Sequence, residues 1–315
     1  MSKIAFIYPG QGAQKAGMGA DFYENSEIAR YIFDQAGEEL DLDMKELCFE
    51  ENDRLDLTEY TQAAMVTTCL AMTRVAESKG LKADITAGLS LGEYPAIAAA
   101  GGMNDMDAIR LVRKRGILMQ NTVPAGEGAM CAVISMAAEE IEKVIEPIAD
   151  VSVANYNCPG QIVITGKTDA VEEAAAKLKE AGARRTIMLN VSGPFHSQML
   201  VPAGEKLAEE LEHTRFHELR IPYVTNVTAE KVTDIRETPG LLTTQISSPV
   251  RWMQSMERMI ADGVDTFVEI GPGKTLEGFL RKIDRSVKVF HISQWEDVDK
   301  VCEELAGGGS RMEES

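Results

Sequence analysis

DITAGLSLGEYPAIAAAGGM, residues 84–103, decides the architecture. It opens on an apolar run short enough for a buried strand and closes on an alanine-rich stretch that reads as a helix. Between them stands Gly88-Leu89-Ser90-Leu91-Gly92, a G-x-S-x-G pattern. Strand, turn and helix in so few residues force a sharp bend. Glycines two places either side of the serine remove the side chains that would collide there, so Ser90 projects. The helix N-terminus beneath it favours negative charge developing near the hydroxyl. As structure alone, the pentapeptide is a glycine turn with a helix-capping serine; the strand–turn–helix setting favours a nucleophile.

The pattern repeats outward from this turn. IAFIY (4–8) reads as a strand and runs into PGQGAQKAGMG (9–19), a loop with four glycines. TEYTQAAMVTTCLAMTRVAESKG (58–80) is a helix stopped at Gly80, and a further helix covers about 105–121. Residues 128–191 then give strand, helix, two strands around Cys158-Pro159-Gly160, helix and strand. That βαββαβ order is the ferredoxin-like unit. A helix near 198–213, a strand in IPYVTNV (221–227), a helix around 250–262 and the strands TFVEIG (266–271) and VKVFHIS (287–293) complete the chain. Strand–helix alternation on both sides of the insert predicts a mainly parallel α/β sheet. The expected division is a large α/β domain over 1–126 and 194–306, a ferredoxin-like subdomain over 127–193, and a disordered tail over 307–315.

Composition narrows the function. With 315 residues and 44% hydrophobic side chains the chain can bury a large core, and 32 Lys+Arg against 50 Asp+Glu leave a net charge of −18. So acidic a chain lacks the general basic face that nucleic acid or an anionic membrane requires. Five cysteines, odd in number and never in CxxC, argue against a disulfide framework or a cysteine-rich zinc site. The start lacks a signal-peptide core and no apolar run reaches 18 residues. The expectation is a cytoplasmic monomer with no membrane or nucleic-acid partner.

A serine nucleophile needs a base, and there are four histidines. His291 lies inside an apolar strand pattern. His213 and His217, four apart in LEHTRFHEL, make half a metal site at most and read better as a solvated helix face. His196 follows a rigid Gly-Pro turn where the insert rejoins the main domain, and by elimination it is the candidate base. PGQGAQ (9–14) has neither dinucleotide nor phosphate-loop spacing, so its amides suit an oxyanion. Arg115 borders Val112 and Met119 on the apolar face of its helix. It is either a snorkelling arginine or a fork for a substrate carboxylate.

Together the segments PGQGAQ (9–14), YTQAA (60–64), GLSLGEY (88–94), RKRG (113–116), NYNCPGQIVITG (155–166), GPFH (193–196), VTNVTA (224–229), QISSPVRW (245–252) and EIGPGKTL (269–276) resemble the malonyl-CoA:acyl carrier protein transacylases of fatty acid synthesis. The resemblance runs in order along nearly the whole chain. It implies a hydrolase-like α/β domain with a ferredoxin-like insert, Ser90 as nucleophile and His196 as base. The oxyanion hole falls to the backbone amides of Gln11 and Leu91, and the free malonyl carboxylate to Arg115. The carbonyl of Gln245 orients the histidine in place of a triad acid, and Gln62 lines the pocket. The implied partners are malonyl-CoA and acyl carrier protein, with no metal or redox cofactor. Leu89 departs from the histidine the family often has before its nucleophile, which bears on packing rather than on the base.

Two further expectations follow from this resemblance. Phe195, beside the base, should crowd a methyl branch on the acyl α-carbon and so favour malonyl over methylmalonyl. An acidic carrier protein meeting an acidic enzyme needs a local basic patch. Lys274, Arg281, Lys282 and Arg285 form one, and Arg184 with Arg185 a second. The competing readings are a serine thioesterase or esterase with an acid such as Asp150 or Asp169, a freestanding polyketide-type acyltransferase, and a non-catalytic carrier-protein-binding module.

Overall fold

The computed structural model describes residues 2–307. Ten strands divide into two sheets. The larger contains β1 (Ile4–Tyr8), β2 (Ile85–Gly88), β7 (Tyr223–Val224), β8 (Lys231–Val232), β9 (Thr266–Ile270) and β10 (Lys288–Ile292), in the order β10-β9-β1-β2-β7-β8. All neighbours are parallel except the hairpin of β7 with β8. β1 and β9 are apolar nearly throughout because both faces of the sheet are covered. Phe6 and Tyr8 enter one core while Ala5 and Ile7 enter the other.

The smaller sheet is formed by a continuous stretch of chain between β2 and β7. It contains β3 (Gly128–Ile134), β4 (Val151–Cys158), β5 (Gln161–Lys167) and β6 (Arg185–Met188), in the order β4-β5-β3-β6 with every neighbour antiparallel. Its two helices, Ala138–Ile145 and Thr168–Glu180, cover one face and share a core with Val133, Ile141, Ile164 and Leu178. The other face sends Met130, Ala132, Ala154 and Val163 into the main core. The edge is also tied down by backbone: Tyr156 N donates to Val250 O at 2.9 Å, and Val250 N to Ala154 O at 2.8 Å. The small sheet is therefore a fixed wall over the C-terminal ends of the parallel strands, not a swinging flap.

The mainly parallel sheet with a ferredoxin-like unit is as the sequence predicts. Differences are local. IPYVTNV forms a strand only at Tyr223–Val224, because the chain leaves the sheet at Thr225 to reach the serine turn. β8 and the Thr238–Gln245 helix were not anticipated, since β8 has two residues and the helix has no apolar stripe. After β10 the chain forms a Trp295–Gly307 helix, so Gly307 closes a helix rather than opening a tail; residues 308–315 lie outside the described region.

Two contacts set up the site. The Thr58–Ser78 helix, buried along most of its length, packs against Asp105–Asn121 so closely that a Cβ at Gly116 would stand 2.8 Å from Thr58 O. That approach brings Arg115 within reach of Gln62. At the serine turn, a Cβ on Gly88 would lie 1.8 Å from Gly92 O, and one on Gly92 2.2 Å from Tyr8 O. Neither position has room for any other residue.

Candidate active site

β2 ends at Gly88 and the backbone turns through Ser90 at φ 52°, a left-handed conformation that a serine adopts only under constraint. Asn226, in the loop after β7, holds the turn from both sides. Its Oδ1 accepts from Ser90 N at 2.6 Å and its Nδ2 donates to Gly88 O at 2.7 Å. Such a backbone costs of order 1–3 kcal/mol, which this bracket offsets.

His196 also has positive φ, at 61°, and its ring is buried. Ser90 Oγ and His196 Nε2 are 2.7 Å apart, and His196 Nδ1 lies 2.9 Å from Gln245 O. A carbonyl can only accept, so Nδ1 carries the proton and Nε2 accepts from the serine hydroxyl. Burial is the main cause that pulls the imidazole down to about 4, and the Arg115 charge adds to it; the Gln245 carbonyl pushes the other way. The ring is neutral at neutral pH, as a base must be.

Arg115 has no solvent exposure. Its Nη1 donates to Gln62 Oε1 at 2.9 Å, its Nη2 to Gln245 Oε1 at 3.0 Å, and Nη2 also stands 3.3 Å from Ser90 Oγ. The guanidinium lies over the Tyr94 ring at 5.4 Å. Its Nε has no hydrogen-bond partner. A buried guanidinium held by neutral amides and aimed at a nucleophile is suited to a planar anion, and lysine would not reproduce its fork.

The site opens into a cavity of about 480 Å³ between the two sheets. Ser90, His196, Phe195 and Gln11 line its base, while Asn155, Asn157 and Gln161 line its side. Phe195 is itself buried. Asn157 Oδ1 is buried without a partner. The 9–14 loop packs directly on the serine turn: Leu89 N donates to Tyr8 O at 3.0 Å, and a Cβ on Gly10 would meet Leu89 O at 2.7 Å. This contact brings the loop that carries Gln11 against the turn that carries Ser90 and Leu91. Gln11 is anchored by Nε2 to Thr58 Oγ1 at 3.0 Å, which in turn is 2.7 Å from Ser192 Oγ in the loop before His196. Leu89 lines the cavity and packs on the core beneath the sheet.

The structure thus gathers Ser90, His196, Gln245, Arg115, Gln62, Phe195, Gln11 and Leu91 around one point. It leaves the other histidines elsewhere. His213 follows the Val201–Glu212 helix, His217 N bonds Gly102 O, and His291 in β10 faces Glu277 at 3.6 Å. Asp150 pairs with exposed Lys167 at 2.8 Å and Asp169 lines a different cavity, so neither serves the histidine.

Sequence reasoning missed Glu93, Asn226 and the side chain of Gln245. Gln245 Nε2 donates to Glu93 Oε2 at 2.7 Å and to Ser90 O at 3.0 Å, and Asn226 N donates to the same Glu93 oxygen at 3.1 Å. Glu93 and Asn226 sit inside GLSLGEY and VTNVTA. An acid in the first turn of a helix reads as a complement to the dipole, which hid its burial.

An acyl transferase domain model matches residues 5–297. The malonyl CoA-acyl carrier protein transacylase of Bacillus subtilis is 44% identical over 310 residues, covering 97% of this chain and 98% of that one. The crystal structure of the malonyl CoA-acyl carrier protein transacylase from Clostridium perfringens superposes with a TM-score of 0.95 at 42% identity, covering 99% of this chain and 100% of the other. A malonyl-transacylase solved in complex with a type II PKS acyl-carrier protein gives a TM-score of 0.93 at 36% identity, covering 96% and 100%. The chain belongs to the acyl transferase domain family and, within it, to the malonyl CoA-acyl carrier protein transacylases.

Proposed function

We propose that this protein moves a malonyl group from malonyl-CoA to the phosphopantetheine thiol of acyl carrier protein through malonyl-Ser90, supplying fatty acid synthesis. The observation that carries the reading is Arg115, a buried fork 3.3 Å from the Ser90 hydroxyl. A thioesterase for neutral acyl chains has no use for it, and a neutral acetyl group leaves the guanidinium without an anion on the acyl side, which disfavours acetyl-CoA.

His196 Nε2 takes the hydroxyl proton as Ser90 Oγ attacks the thioester carbonyl. The amides of Gln11 and Leu91 hold the oxyanion, an effect of about 2.7–4 kcal/mol per donor. Collapse breaks the C–S bond, and CoA leaves with the proton from His196. The carrier thiol then gives its proton to His196 and attacks the ester, restoring Ser90. Every step is redox-neutral acyl transfer, and its atoms balance with serine, histidine and the two thiols, without a cofactor. The side amides of Asn155, Asn157 and Gln161 suit the amide-bearing pantetheine arm common to both thiols.

Intact-protein mass spectrometry after brief exposure to malonyl-CoA tests the reading. A malonyl adduct that acyl carrier protein discharges is expected; free malonate accumulating without acceptor points instead to a thioesterase. The pH profile follows from His196. Its folded value near 4 lies below the ordinary 6.5, so the neutral base persists as pH falls. Acylation kcat/KM should stay level from pH 8 to about 5 and fall only below that. A limb centred near 6.5 contradicts the assignment. The same depression makes the fold lose stability as pH drops from about 6.5 towards 4, where the unfolded chain takes up a proton that the folded one does not.

Docking of the acidic carrier protein falls to the basic rim. Exposed Lys282 reaches Gln161 Oε1 at 3.4 Å, at the cavity mouth, whereas Arg281 is paired with Glu277 at 2.6 Å. Lys274 and Arg285 are exposed nearby, and Arg184 and Arg185 flank the opposite side at the free edge of β6. Reversing Lys282 and Arg285 to glutamate should raise KM for carrier protein and leave KM for malonyl-CoA in place. Equal changes in both would exclude this surface. Phe195 in the base of the cavity sets the room at the acyl α-carbon, which favours malonyl over methylmalonyl.

A further inference from the structure

Among the described residues, Arg115 is the one arginine or lysine buried from solvent, and Glu93 and Glu269 are the two buried carboxylates. Glu269 is occupied: its oxygens accept from Leu276 N at 3.1 Å and Glu277 N at 2.8 Å, at the start of the Thr275–Ile283 helix. Glu93 stands behind the catalytic groups, one amide removed from the guanidinium. Gln245 joins the two, with Nε2 on Glu93 and Oε1 on Arg115.

We propose that Glu93 is the counter-charge of Arg115, acting through the side-chain amide of Gln245, and that it both fixes the orientation of that amide and tempers the pull of the guanidinium on the acyl carboxylate. A carboxylate at Glu93 demands the Gln245 NH₂ group, so the amide oxygen turns to Arg115; the flipped amide would oppose donor to donor and acceptor to acceptor. Because the backbone carbonyl of the same residue receives His196 Nδ1–H, Glu93 positions the residue that serves both base and clamp. In the empty site the guanidinium is balanced by Glu93 in a low-dielectric surrounding, and the arriving malonyl carboxylate is a second anion on the same cation. Burial pushes Glu93 up to about 7, against the Gln245 and Asn226 hydrogen bonds and the Arg115 charge, so the counter-charge is partly formed at neutral pH and complete above it, and the tests are read at pH 8 or higher.

Glu93→Gln is the clean substitution. In Glu93 a single oxygen, Oε2, accepts both hydrogen bonds, and the amide oxygen of glutamine can do the same; the charge is lost and an NH₂ group takes the place of Oε1, which has no partner. The kinetic arm of the test rests on the reading of Arg115 as the carboxylate clamp, and the stability arm does not. In thermal unfolding, E93Q and R115M should each lower Tm, since each strands one buried charge, while E93Q/R115M should melt above R115M. A purely structural glutamate would give additive losses. In kinetics, E93Q should lower KM for malonyl-CoA by about threefold or more, with a smaller change in kcat and no such fall for acetyl-CoA.

A double variant that melts no higher than R115M overturns the proposal. So does an unchanged malonyl-CoA KM in E93Q when R115M has lost malonyl binding. R115M binding malonyl-CoA as the wild type does would overturn the clamp instead. If E93Q alone does not fold, recovery of folded protein in E93Q/R115M is the same compensation read in another way and supports the coupling; failure of both overturns it.

Discussion

Replacing Ser90 with alanine is expected to abolish the malonyl adduct and to lower transfer by about 10⁴-fold or more. The hydroxyl is the only group placed to attack: His196 Nε2 sits 2.7 Å from it and nothing else in the cavity is activated this way. The His196→Ala variant should lose nearly as much, and Ser90→Ala/His196→Ala little more than either alone, because proton and nucleophile act as one unit. Initial rates of carrier-protein malonylation measure this. Losses that multiply across the two variants would mean that His196 does not work through Ser90. The protein should meanwhile remain folded, since Asn226 grips the turn through the backbone of Gly88 and Ser90, not through the hydroxyl.

Arg115→Met carries the second large effect. Truncating one partner of a buried charge pair costs about 2–5 kcal/mol, so kcat/KM for malonyl-CoA should fall by about 10²-fold or more. Acetyl-CoA, which offers no carboxylate, should lose little or gain, and the preference between the two should collapse or invert. Competition between the two thioesters in a single self-acylation reaction, read by adduct mass, gives the ratio directly. Retained malonyl preference would place the carboxylate elsewhere and remove the main support for the acyl group assigned here. Methionine keeps much of the packing volume beside Met119 and Tyr94, so the loss reads as charge rather than collapse.

How far this was legible in the sequence differs from residue to residue. The serine turn announced itself because steric law leaves so few ways to write it: a Cβ added at Gly88 or Gly92 would meet a backbone oxygen at 1.8 or 2.2 Å. The βαββαβ unit was legible for another reason: its strands, covered on both faces, are short apolar runs, and they are separated by helices with a 3.6-residue apolar period. Two-residue β8 and the stripe-free Thr238–Gln245 helix carry too little pattern to be seen. Arg115 was half legible. Its place on an apolar helix face was plain, but its burial depends on Gly116 admitting a second helix, a long-range fact. Glu93 and the Gln245 side chain were not legible, because a hydrogen-bonded chain of acid, amide and guanidinium joins positions 93, 245 and 115 from three separate helices. Nothing local marks such a chain.

The path from Met188, where β6 ends, to His196 is only residues 189–195, and its last steps are the stiff Gly193-Pro194-Phe195. This short tether has an evolutionary consequence. Side chains on the antiparallel wall can be exchanged, re-lining the cavity, without touching serine, clamp or amide relay, which the rest of the fold carries. Its length at the rejoining seam cannot drift, because one inserted residue would displace the imidazole from the hydroxyl. Substitution can therefore change what the roof looks like but not how many steps lead down from it, and a chimera that borrows a roof must be spliced so as to keep that count.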